Sequence, residues 1–239
     1  MIKKVLLFAL VIQGLCANAQ VGINCQYIPA IQFGSVKVKT DNPALGTYKY
    51  GAGLPLMMLD RIGSKWYWNL DMNALYYGAT QTNKAADGRI KIAKTEGGYF
   101  AGRVGKMFGK GEQFRFGINL NAGFSTSNLD SAKRTFEPRG YLNFGGGILV
   151  YKKFGKMRVA AKFGYEKYSA KYIVKGSGSG TYLETTFAYM IYQKYGLSLM
   201  PCIYSKKFDY TPKINGTGSA VTNAKVSSLV FRIGLTKFL

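Results

Sequence analysis

Glu166 and Glu184 stand on segments that follow one another in the chain, and two carboxylates within reach of a common substrate can work as a general acid and base. Arg158 and Lys162 lie in the same stretch and offer both carboxylates simpler roles as ion-pair partners. The 239 residues contain no histidine, which removes most of the usual catalytic sets. Imidazole zinc sites, Ser–His and Cys–His nucleophile pairs and a histidine general base are excluded with it. Gly145-Gly146-Gly147 and the Gly102/Gly105 pair are followed by no Lys-Ser/Thr and no strand-to-helix pattern, so they are not phosphate loops and are read as easing sheet curvature. No catalytic residue is assigned. No metal site or other cofactor is expected.

The elements that must position these charges show a period of two, the signature of strands. Phe114, Phe116, Ile118, Leu120, Ala122 and Phe124 alternate with Arg115, Gly117, Asn119, Asn121 and Gly123. Trp66, Trp68, Leu70, Met72, Ala74 and Tyr76 oppose Asn69, Asp71 and Asn73. Met157, Val159, Ala161, Phe163 and Tyr165 oppose Arg158, Lys162 and Glu166, and Leu229, Phe231, Ile233 and Leu235 oppose Ser228, Arg232 and Thr236. Extended along the chain, the pattern predicts strands over 21–39, 46–59, 65–80, 89–107, 113–127, 139–153, 157–174, 181–193, 196–209 and 224–239. The connections between them alternate. Those at 60–64, 108–112, 154–156 and 194–195 are short, whereas those at 40–45, 81–88, 128–138, 176–180 and 210–223 are mostly longer and rich in Gly, Ser, Asn, Asp and Pro. Gly176 to Gly180 reads as a flexible loop tip.

Short turns at one end and long loops at the other are the layout of a barrel in an outer membrane, and closure pairs every backbone polar group inside the protein. The prediction is therefore an all-β fold: a closed antiparallel transmembrane β-barrel of about ten strands, with short periplasmic turns and longer extracellular loops. Aromatic residues at the strand ends suit its interface girdles. Trp66, Tyr67, Trp68, Phe114, Tyr151 and Phe154 fall at the short-turn end, and Tyr76, Tyr77, Phe124, Tyr141 and Tyr182 toward the long loops.

With the apolar faces turned to lipid, the charges turned inward are Asp71, Arg103, Arg115, Arg158, Lys162, Glu166, Glu184 and Arg232. They are read as a network of ion pairs in the lumen, because charges in a constricted interior persist only when paired or hydrated. The alternative is a narrow pore for ions or small solutes, weakly preferring anions because five of the eight are basic.

Residues 1–19 read as a secretory signal: Lys3 and Lys4, an apolar run from Val5 to Leu15, then Ala17-Asn18-Ala19, with cleavage before Gln20. Cys16 leaves with it. Residues 20–239 then form one barrel domain, in which Cys202 falls on an inward face and Cys25 on an outward one, so that two isolated thiols are expected. The chain carries a net charge of +22. Lys84, Arg89, Lys91, Lys94, Lys133, Arg134, Arg139, Lys167, Lys171, Lys175, Lys206, Lys207 and Lys213 gather toward the long-loop end, where lipopolysaccharide phosphates are the natural partners. No recognition motif for nucleic acid accompanies the charge.

The signal ending Ala17-Asn18-Ala19-Gln20, a strand immediately after it, and a last strand ending Gly234-Leu235-Thr236-Lys237-Phe238-Leu239 resemble the small outer-membrane β-barrel proteins of Bacteroidota-type bacteria. The likeness covers the mature chain and lies in architecture rather than in specific motifs. It implies a place in the outer membrane, and a last strand, with Phe231, Ile233, Leu235 and Leu239 on one face, that the barrel-assembly machinery reads during insertion. That family normally finishes on an aromatic residue, where this chain has Leu239. The expected role is structural or one of interaction, with other envelope proteins as partners, and not enzymatic.

Overall fold

In the computed structural model the described residues are 25–40, 48–63, 65–81, 92–109, 114–130, 141–170, 176–210, 213–214, 217–218 and 222–238. The signal segment, Leu239 and most of the long connections lie outside them. The strands are β1 (Cys25–Thr40), β2 (Tyr48–Ile62), β3 (Trp66–Gln81), β4 (Ile92–Phe108), β5 (Phe114–Asp130), β6 (Tyr141–Phe154), β7 (Met157–Ala170), β8 (Gly176–Tyr192), β9 (Tyr195–Tyr210), β10 (Lys213–Ile214), β11 (Thr217–Gly218) and β12 (Thr222–Phe238). The fold is all-β and antiparallel. The sheet curls, each long strand pairing with its neighbours in the chain, while β12 pairs with β9 on one side and β1 on the other.

Several strands run further than the alternation predicts, and two of the extensions change the reading. β2 continues through Ile62, so Asp60 belongs to a strand and not to the turn that follows. β8 begins at Gly176, so Gly176 to Gly180 is not a loop tip: Ser177 and Ser179 pair with Ser169 and Lys167 on β7 and with Asp209 and Lys207 on β9. A segment of low strand propensity becomes a strand here because partners on both sides take its backbone hydrogen bonds. The connection from β9 to β12 holds a small hairpin, in which β10 pairs with β11. The β6–β7 and β8–β9 turns have only two residues each, and Gly155 (φ 52°) and Gln193 (φ 46°) supply the left-handed backbone that two-residue hairpins require.

The two faces are sorted in the reverse of a soluble protein. Phe114, Phe116, Ile118, Leu120 and Phe124 of β5 are all exposed, Leu120 at 70%, while Arg115, Asn119 and Asn121 between them are buried. On β12, Leu229, Ile233 and Leu235 are exposed, Phe231 is half-buried and Arg232 and Thr236 are buried. Trp66, Phe114, Phe124 and Phe154 stand on the outer face, with Trp68 half-buried on the same side.

Four aromatics expected in the girdles turn the other way. Tyr67, Tyr141, Tyr151 and Tyr182 are all buried in the interior. The reason is the pleat: Tyr141 shares a face with Asn143, Tyr67 with Asn69, Tyr151 with Leu149 and Tyr182 with Glu184, and a residue cannot leave its face without breaking the ladder. Position near a strand end does not override parity. Tyr76 and Tyr77 lie on β3 opposite Glu96 and Thr95, and their side chains are outside the described set.

Candidate functional site: the charged interior

The eight ionisable residues named from the sequence, Asp71, Arg103, Arg115, Arg158, Lys162, Glu166, Glu184 and Arg232, are all buried. They line the concave face because each falls on the parity opposite to the large apolar residues of its strand. Their ion-pair partners come from across the interior rather than from adjacent strands. Arg103 of β4 meets Glu184 of β8 at 2.8 Å and donates to Asn69 Oδ1 at 3.0 Å. Lys162 of β7 meets Asp60 of β2 at 3.2 Å, and Arg232 of β12 meets Asp71 of β3 at 3.0 Å.

Tyrosines join these pairs into a network. Tyr204 donates to Glu184 Oε1 at 3.0 Å and accepts from Arg232 at 3.4 Å, linking two of the three ion pairs. Arg103 lies 5.1 Å from the centre of the Tyr182 ring, and that ring has room because Gly147 and Gly164 carry no side chain: a Cβ on Gly164 would come within 2.5 Å of the ring carbon that bears the hydroxyl. Gly145 and Gly147 thus make space for the interior network, a tighter role than relief of curvature. Closer to the long-loop end, Glu166 accepts hydrogen bonds from Asn121 and, at 2.8 Å, from Tyr168.

The carboxylate pair considered for catalysis is not a pair. Glu184 is opposite Lys162 in the ladder, and Glu166 lies four residues further along β7, about 13 Å at a rise of ~3.3 Å per residue. Each carboxylate is engaged with its own set of donors. Lys162, which stands beside Glu184 in the ladder, reaches Asp60 instead. Arg158 lies over the Phe238 ring at 4.1 Å from its centre, and Arg115 donates to the Gly63 carbonyl in the β2–β3 turn. Among the described residues, no His, Cys, Asp or Glu side chains group in a way that would hold a metal ion.

Toward the short turns, apolar side chains gather in the interior alongside the buried Arg115 and Arg158. Ile62, Tyr67, Met107, Leu149, Tyr151 and Ala160, drawn from β2, β3, β4, β6 and β7, form one buried cluster within a few residues of the turns. Above it Met58, Met200, Cys202 and Val230 pack as a second cluster beside the Arg232 pair. The Cys202 thiol is free and buried; the side chain of Cys25 is outside the described set.

Sequence reasoning missed Asp60, Asn69, Tyr168 and Tyr204 as members of the network. The signal was present for Asp60, since Met58, Asp60 and Ile62 continue one parity. Lys206, one of the basic residues gathered toward the long-loop end, points inward, donating to Tyr141 at 3.0 Å, with its ammonium 5.1 Å from the centre of the Tyr168 ring and 5.8 Å from that of Tyr204. Lys167 and Lys207 are exposed. Lys94 and Lys213 lie on strands with side chains outside the described set, and Lys84, Arg89, Lys91, Lys133, Arg134, Arg139, Lys171 and Lys175 fall outside the described residues.

No family model matches the sequence, and no curated protein matches it. Among solved structures, the outer membrane protease OmpT from Escherichia coli is similar with a TM-score of 0.48 at 8% identity, covering 90% of this chain and 97% of that one. The outer membrane protein OprG from Pseudomonas aeruginosa gives 0.44 at 12% identity over 92% and 97%. The toluene transporter TodX from P. putida gives 0.34 at 6% identity, over 90% of each chain.

Proposed function

We propose that the chain closes into a ten-stranded β-barrel spanning the bacterial outer membrane and sealed to ions, with a structural or interaction role as an accessory subunit of an envelope assembly. The short β2–β3, β4–β5, β6–β7 and β8–β9 turns lie in the periplasm, and the longer connections face outward. One observation carries this reading: large apolar side chains are exposed along the outer face, while ion pairs fill the inside. A soluble protein rarely exposes so continuous an apolar surface, and burying charge in its place would only cost stability. In hydrocarbon the same arrangement is the favourable one, provided that no sheet edge is left unpaired. The strands are long enough: β6 has 14 residues and β5 has 17, against the ~9–11 that a tilted membrane strand needs. The resemblance to small barrels of Bacteroidota-type bacteria belongs to the same reading.

Sealing is supported by the apolar cluster at the short-turn end. Tyr67, Leu149, Tyr151 and Ile62 have essentially no accessible surface, and the ion pairs above them bind each other across the interior. The test is to refold the chain from Gln20 onward into lipid, verify a heat-modifiable band shift, and record current across a planar bilayer under a salt gradient. A folded, inserted and silent protein is expected. A steady anion-selective current would replace sealing with a narrow pore filtered by Arg103, Arg115, Arg158, Lys162 and Arg232. Recovery of the folded protein in the soluble periplasm would overturn the membrane reading itself.

A further inference from the structure

The outer face of β7, β8, β9 and β12 is graded in rows. Phe163, Leu183, Ile203 and Leu229 stand opposite one another across the four strands, and all are exposed. Two residues nearer the long loops, the row is Tyr165, Thr181, Ser205 and Ser227. Two residues further it is Lys167, Ser179, Lys207 and Lys225. The three lysines are exposed and Ser179 is half-buried between two of them. The register carries the row on to Lys39 of β1, which pairs with Lys225. Lys207 and Lys225 are directly opposite, an arrangement that repels unless an anion lies between the ammonium groups. A cleft of about 580 Å³ opens at this level, lined by all three lysines, Ser177, Ser179 and Tyr165 among others, with Asp209 as its one acidic side chain.

We infer that this cleft binds the phosphate headgroup of a phosphorylated glycolipid of the outer leaflet, whose acyl chains lie on the apolar row. The inference rests on the membrane-spanning reading above. The geometry fits an amphiphile and not a free anion. The lysine row stands four residues beyond the apolar row on every strand, about 13 Å along the strand at ~3.3 Å per residue and about 10 Å along the membrane normal for a tilt of ~40°. Hydroxyl groups and the Tyr165 ring occupy the step between, the level at which amphipathic side chains meet headgroups. Lysine suits the task, because a phosphate carrying several oxygens is matched by mobile ammonium groups from several strands.

The experiment refolds the mature chain into phosphatidylcholine vesicles that contain diphosphoryl lipid A, or the same glycolipid with its phosphates removed, and measures retention of each on the extracted protein by native mass spectrometry. The phosphorylated lipid is expected to be retained, and its dephosphorylated form and free inorganic phosphate are not. In the K207Q/K225Q double variant retention falls roughly tenfold or more, as the loss of two lysine–headgroup contacts implies. A matched K106Q/K152Q variant at the short-turn end leaves it unchanged. Equal retention by both variants, or equal retention of both lipids, would overturn the site. Competition by inorganic phosphate alone would overturn the amphiphile and leave an anion cleft. Failure of every form to shift on heating in any vesicle would instead defeat the membrane reading, so the two failures are distinguishable.

Discussion

The two ends of the molecule use lysine and aromatic rings in opposite ways. At the short-turn end the interior is closed by Tyr67 and Tyr151 among aliphatic side chains, and the lysines stand outside over rings: Lys106 over Phe108, Lys152 over Phe154 and Lys237 over Tyr195. At the long-loop end a lysine, Lys206, is inside and held by Tyr141, Tyr168 and Tyr204, while Lys167, Lys207 and Lys225 form an outer row. Between them lie the ion pairs. The difference teaches that parity, not residue type, decides the role. An ammonium group inside needs hydrogen-bond acceptors and ring faces, which tyrosine offers together; even at the floor, the Lys162 ammonium lies 5.5 Å from the centre of the Tyr67 ring.

The sharpest way to break this division is in the middle. Glu184→Leu leaves Arg103 buried without its carboxylate and removes the acceptor of the Tyr204 hydroxyl. A loss of ~3–5 kcal/mol is expected in the urea midpoint of the heat-modifiable band. The double variant Arg103→Met/Glu184→Leu should recover most of it, because the cost lies in the stranded charge rather than in a net gain from the pair. If the double variant is as unstable as the single one, the network is held by something other than mutual neutralisation.

At the floor, Leu149→Ala removes a fully buried side chain from the apolar cluster. The expected cost is ~2–5 kcal/mol. Sealing adds a second readout: the variant, and more so Leu149→Ala/Tyr151→Ala, should show brief current openings where the parent is silent. An unfolded product would leave the current unreadable, so Leu149→Ser offers a smaller and wetter alternative at the same place. A silent bilayer with folded, inserted Leu149→Ser protein would move the seal up to the ion pairs.

How much of this was legible in the sequence follows from what parity can and cannot carry. Period-two alternation places Leu120 outside and Arg232 inside with no knowledge of neighbours, and it locates the long strands to within a few residues, except at β8. It also places Asp60 and Tyr141 inside, because the pleat outweighs nearness to a turn or a girdle. Partners were not legible. Whether Lys162 meets Glu184 beside it or Asp60 across the interior depends on how far the sheet curls, which no local pattern encodes. Gly176 to Gly180 failed for a related reason: their strand conformation is imposed by β7 and β9 on either side, not by their own propensity.

At the long-loop end, Lys206→Met keeps the length of the side chain and removes its charge. It costs the hydrogen bond to Tyr141 and the contacts with three rings, and a loss of ~1–3 kcal/mol is expected by the same urea titration. Because the site is inside, high salt should change this difference little.

The outer lysines supply the contrast, and the smallest effect. Lys152→Met removes an ammonium group that lies 4.7 Å from the centre of the Phe154 ring on the exposed face of β6. An exposed cation–ring contact is worth only ~0.5–1 kcal/mol, and the methionine keeps most of the packing against the ring. A loss of about half a kcal/mol or less is therefore expected. It should shrink further as salt is raised, since at this surface the ammonium is screened. The pair of variants thus isolates placement, because each removes one lysine charge from an aromatic neighbourhood and differs in which wall the lysine stands on. If Lys152→Met proved as costly as Lys206→Met, and as indifferent to salt, the short-turn end would have to be buried in an assembly, and the interaction role proposed for this protein would gain a definite surface.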